Sequence, residues 1–87
     1  MSAYVGRIVT SLSGHDEGRL YLVIGEEEGY LLLSDGKIRR LKKPKRKKIK
    51  HIRPILPDRR CDPEVMTDGR LRKWLRESAD LQNRIIN

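Results

Sequence analysis

The sequence predicts a mainly β protein: a small, strongly bent, five-stranded barrel followed by a C-terminal amphipathic α-helix. Three observations carry that prediction. Short apolar runs fill the first half of the chain, with glycine at nearly every boundary. Beyond residue 67 the period changes, and apolar residues recur at helical spacing. The 87-residue length allows one domain. A chain of that size buries only ~60% of its unfolded surface, so its core is marginal.

Each element has its own signal. Residues 4–11 are β-rich and read as the first strand, closed by Ser13-Gly14. Residues 14–18 form a polar loop with a glycine at each end. Residues 19–24 read as a second strand ending at Gly25, residues 26–29 as a polar turn, and residues 30–33 as a third strand. Asp35-Gly36 is a strong type I′ hairpin signal, because that turn needs positive φ at both central residues. It predicts a fourth strand over 37–41, paired back on the third. Residues 42–48, centred on Pro44, read as a loop, since proline lacks a ladder donor. Residues 49–52 resume an apolar–polar alternation as a short fifth strand, which Pro54 and Pro57 then end. Five short strands in about 50 residues suit a closed barrel better than a two-sheet sandwich. Closure also removes exposed edges.

This divides the chain into a barrel (1–53), a proline-containing linker (54–66) and a C-terminal helical segment (67–87). Thr67 is placed to N-cap a helix over 68–83, with Asp68 favourable in its first turn. Leu71, Trp74, Leu75, Leu81 and Ile85 share one face with Ser78. That stripe is expected to dock on the barrel; a partner-binding helix is the alternative.

The net charge of +8 is unevenly placed. Residues 1–36 carry two bases against six acids, residues 37–57 carry eleven bases and no acid, and residues 58–87 carry seven bases against six acids. Such a local excess attracts phosphates and raises encounter rates with polyanions. A nuclear-address reading of "KKPKRKK" is a weak pattern between two predicted strands. A membrane surface fits poorly, because nothing apolar accompanies the run. No apolar stretch is long enough to span a bilayer or to act as a signal-peptide core. The single Cys61 excludes an internal disulfide and fits a reducing, cytoplasmic setting. One cysteine and two distant histidines disfavour a structural zinc site, and no cofactor is expected.

The binding candidates are set by this charge. Lys42, Lys43, Lys45, Arg46, Lys47, Lys48 and Lys50 suit tracking of a nucleic-acid backbone, the lysines acting as point charges. Arg39 and Arg40 suit oriented contacts, and only one of them should face outward from a strand. Spacing leaves the 14–18 loop equally open to two readings: a turn with polar filler, or a loop in which Gly14 and Gly18 allow close backbone approach to a sugar–phosphate chain, with His15 placed to stack or donate. His51, beside Lys50, is a weaker candidate. Tyr4, Tyr21 and Tyr30 are read as core or half-buried strand residues. Catalysis finds little support: Cys61 has no evident activator, and Glu26, Glu27 and Glu28 form a solvated turn.

"GRIVTSLSGHDEGRLYLV", residues 6–23, resembles a KOW motif, a strand–glycine loop–strand unit of ribosomal proteins and RNA-binding transcription factors. "DGKIRRLKKPKRKKIKHI", residues 35–52, is similar to the segment C-terminal to that motif in a family related to a large-subunit ribosomal protein of archaea and eukaryotes. Small bacterial KOW-domain RNA-binding proteins look especially similar. The resemblance implies an SH3-like barrel that binds RNA, commonly ribosomal RNA, with the first loop (Gly14, His15, Asp16, Gly18) at the contact. The carboxylate of Asp16 would repel phosphate, so it is expected to order the loop instead. The expectation is a non-enzymatic RNA-binding protein acting on ribosomal RNA or the large ribosomal subunit. The alternative is a protein-interaction adaptor in translation or transcription.

Overall fold

The computed structural model describes residues 2–86. Five antiparallel strands form one sheet in the order β4-β3-β2-β1-β5. They are β1 (Arg7–Ser11), β2 (Leu20–Glu27), β3 (Tyr30–Ser34), β4 (Lys45–Lys48) and β5 (Ile52–Arg60). A 3-10 turn, Ile49–His51, joins β4 to β5, a second covers Pro63–Val65, and helix α1 spans Asp68–Ile86. The mainly β class and the C-terminal helix agree with the sequence expectation. The sheet is open: no ladder joins β4 to β5 among the described residues.

Period-two alternation in β1–β3 splits the apolar side chains between two faces. Val9, Tyr21, Val23, Leu31 and Leu33 pack together with Ile52 on one side. Ile8, Leu22 and Ile55 point the other way and meet Leu71 and Leu75 of α1. The helix therefore docks on the second face through Leu71, Trp74 and Leu75, as expected, whereas Ile85 of the same stripe stays 71% exposed. Thr67 caps it, its hydroxyl accepting from the Arg70 amide at 3.2 Å. Arg59 of β5 fastens the middle of the helix, donating to Ser78 Oγ at 2.7 Å and to the Trp74 carbonyl at 3.3 Å. Burying Leu71 and Leu75 contributes about 2 kcal/mol each. No helix among the described residues is long and apolar enough to cross a membrane.

Three elements differ from expectation. First, residues 37–41 are not a strand. The Asp35 carboxylate accepts from the amides of Lys37 (2.9 Å) and Arg39 (2.8 Å), and the Arg39 carbonyl accepts from the amides of Asp35 and Gly36. The Leu41 amide donates to Asp68 Oδ1 at 2.9 Å. The amides of Lys37, Arg39 and Leu41 are thus taken locally or by α1, and the one bond back to β3 is from a side chain, the Ser34 hydroxyl donating to the Arg39 carbonyl at 2.6 Å. Gly36 is the enabling residue: its φ is +74°, and a Cβ there would collide with the Asp68 carbonyl of α1.

Second, the partner of β3 is Lys45–Lys48, expected as loop, with Leu31 opposite Lys47 and Leu33 opposite Lys45. Four consecutive bases show no apolar alternation, so the strand leaves no hydrophobic trace. Third, residues 49–51 form a 3-10 turn, and the sheet continues through both prolines expected to end it. Proline is tolerated here because β5 is an edge strand, paired only with β1. Pro54 sits opposite Val9, and Pro57 lies in a register break between the pairs Ile8–Ile55 and Arg7–Arg60. Residues 54–60, expected as linker, belong to the sheet. The helix also runs three residues beyond the expected Asn83.

Candidate nucleic-acid interface

The loop between β1 and β2 is a folded object. Gly14 and Gly18 adopt φ of +82° and +84°. The Gly18 amide returns to the Ser11 carbonyl at 2.8 Å, and the Arg19 amide to the Asp16 carbonyl at 3.0 Å. This path turns Asp16 inward, where it is only 4% exposed, and leaves His15, Glu17 and Gly18 on the surface.

Asp16 is the hub of a buried polar cluster. Lys45 Nζ lies 2.6 Å from Oδ2, and Lys47 Nζ lies 2.8 Å from Oδ1. The same Lys47 ammonium donates to Ser11 Oγ (2.6 Å) and to the Ser13 carbonyl (2.8 Å), which uses all three of its protons. The Ser11 hydroxyl donates to Asp16 Oδ1 at 2.9 Å. Burial opposes ionisation of Asp16, but hydrogen bonds from Lys45, Lys47 and Ser11 outweigh it. They hold the carboxyl well below the usual carboxylate range. Asp16 thus orders the loop as expected, through its side chain as well as its backbone. Lys45 and Lys47, expected at the RNA surface, instead tie β4 to this loop. The reason is the strand period: Lys45 and Lys47 share the face of Leu33 and Leu31.

Arg46 and Lys48 project the other way. The Arg46 guanidinium stacks 3.9 Å from the centroid of Tyr30 and reaches Glu27 at 3.1 Å. It is therefore held over a half-buried ring, with its side chain still 57% exposed. Lys48 and Lys50 are exposed; His51 is half-buried, and its carbonyl accepts from the Leu12 amide. Arg39, Arg40, Lys42 and Lys43 are all exposed on the loop between β3 and β4. Because that segment is not a strand, both arginines face solvent, not one. The structure therefore brings the expected residues into an outward set and an inward pair.

Sequence reasoning missed a third basic group. Arg19, Lys37, Arg40, Arg72 and Arg76 line one open groove of about 900 Å³ between the 35–40 loop and α1. Arg72 and Arg76 are four apart and share a helix face, a spacing legible in the sequence. Nothing in the sequence states which loop they face. Cys61 is half-buried, and burial, followed by Asp62, pushes its thiol up, away from the reactive thiolate. No group of metal-ligating side chains occurs among the described residues. Neither protein-family models nor curated proteins give a match to this chain.

Proposed function

We propose that the chain is a non-catalytic RNA-binding protein that grips the phosphate backbone of structured RNA. The observation that carries this reading is the surplus of exposed cations. Of the eleven bases in residues 37–53, eight make no ion pair among the described residues. Self-repulsion among them costs stability, and a polyanion relieves it. Each lysine that neutralises a phosphate also releases counterion, so affinity falls steeply with salt. Lys42, Lys43, Lys48 and Lys50 hold backbone, while His15, Arg39, Arg40 and the stacked Arg46 refine position. The resemblance of residues 6–23 and 35–52 to the KOW pattern supports ribosomal RNA, on the large subunit, as the target. The strand order and the 3-10 turn between β4 and β5 support an SH3-like reading of the sheet. The compartment this reading implies is the cytoplasm.

An adaptor acting through the apolar face of α1 would first have to undock Leu71 and Leu75, which are buried against the sheet. That cost favours the RNA reading over the adaptor.

The test is a salt titration of binding to ribosomal RNA fragments, with Lys42, Lys43, Lys48 and Lys50 changed together to Gln. Affinity should drop, and the slope of log K against log salt should shrink by roughly 0.7–0.9 per lost phosphate contact. Unchanged affinity and slope would sink the proposal. Duplex DNA competing as well as structured RNA would reassign the target to nucleic acid in general.

A further inference from the structure

We infer that the groove between the 35–40 loop and α1 is a second RNA subsite, one that takes an unpaired nucleotide with its flanking phosphates. The inference rests on the RNA reading above and deepens it. The groove joins two chemistries. Its rim is cationic: Arg19, Lys37, Arg40, Arg72 and Arg76 line it against a single acid, Asp35. The Asp35 carboxylate is turned onto the Lys37 and Arg39 amides, and the five cations of the rim outnumber its single charge. Its walls also include Leu20, Ile38, Leu75 and Ala79, which are apolar.

A paired backbone needs charge but no apolar recess. An unstacked base needs a surface to lie on, and arginine planes and apolar side chains serve that purpose. The volume of about 900 Å³ lies within the roughly 300–1,000 Å³ of clefts that hold small ligands. Ile38 is 61% exposed at this site, a large apolar side chain left in solvent in a groove rimmed by cations.

The cations are available. Arg19, Lys37, Arg40 and Arg76 make no ion pair and no side-chain hydrogen bond among the described residues, and all four are exposed. Arg72 is different: its Nη1 donates to the Gly36 carbonyl at 2.7 Å, which orients the guanidinium and joins helix to loop. It both shapes and lines the groove, so the test leaves it intact. The loop wall runs on through Leu41 into Lys42 and Lys43, so a strand entering the groove would continue onto the backbone-binding lysines.

The test uses the intact protein and two RNA hairpins of equal length, one fully paired and one with a single-nucleotide bulge. Binding is measured at one fixed salt concentration. Wild type should prefer the bulged hairpin. Changing Arg19 and Arg76, which line the groove and lie outside the backbone-binding set, together to Gln should remove about tenfold of affinity for the bulged hairpin, and far less for the paired one. Ala79→Trp, which fills the groove without changing charge, should abolish the preference while leaving paired-hairpin binding intact. Thermal melting verifies that each variant is folded; Arg19 and Arg76 make no side-chain bond among the described residues that folding requires, so the double variant keeps the test decisive if Ala79→Trp does not fold. Equal losses on both hairpins, or no preference in wild type, would overturn the subsite and leave the RNA reading standing. Failure of wild type to bind either hairpin would overturn both.

Discussion

Lys45 and Lys47 share a strand with Arg46 and Lys48, yet the two pairs have opposite fates. The first pair is turned inward, where a buried carboxylate and two serines satisfy it. The second faces outward, one member stacked on Tyr30 and the other free in solvent. Residue type is nearly constant along β4, so the difference comes from the strand period alone. A basic run is therefore not a uniform binding surface: alternate members can be structural, and their loss would mimic lost binding by unfolding the protein.

The sharpest way to break the comparison is Asp16→Ala. It strands the Lys47 ammonium, whose side chain is 10% exposed, without its anion. Breaking a buried pair from one side costs about 3–5 kcal/mol, so denaturant midpoints should fall steeply. Lys47→Met should cost less, about 2 kcal/mol, because Lys45 and Ser11 still neutralise and bond Asp16. Its neighbour Lys48→Met should change stability by less than about 0.5 kcal/mol, while lowering RNA affinity and salt slope. A stability loss at Lys48 equal to that at Lys47 would refute the inward–outward division.

Acid provides a milder probe of the same cluster. The folded Asp16 titrates below its unfolded value, so its contribution is fully present above the unfolded pKa of about 4. It is lost as pH falls from there toward the lower folded value. Between pH 6 and pH 3, wild type should lose stability that Asp16→Asn does not lose. Parallel pH profiles for the two proteins would contradict this. The smallest stability effect belongs to Lys50→Gln, near zero, with its change visible only in RNA binding.

How legible the fold was depended on where side chains alternate in polarity. β1, β2 and β3 combine apolar alternation with glycine punctuation, and all three were readable. The helix was readable from Thr67, Leu71, Leu75 and Ser78. β4 was not, because Lys45-Arg46-Lys47-Lys48 presents no polarity contrast for its period to act on. β5 was hidden by Pro54 and Pro57, which signal an end to a strand unless that strand lies at an edge. Residues 37–41 were misread because Asp35-Gly36 supports more than one turn. The choice fell to Asp68, which takes the Leu41 amide from a residue 27 positions away.

The sequence by itself determined the mainly β class, the capped amphipathic helix and the concentration of charge in residues 37–57. These depend on composition, local period and turn chemistry, which short windows contain. Only the tertiary structure decided which lysines are free, which loop closes on the helix, and that Arg72 and Arg76 join Arg19, Lys37 and Arg40 around one groove. Those outcomes depend on what lies opposite each side chain across a sheet or a docked helix. Asp16 meets Lys47 from 31 residues away, and no local pattern encodes that distance.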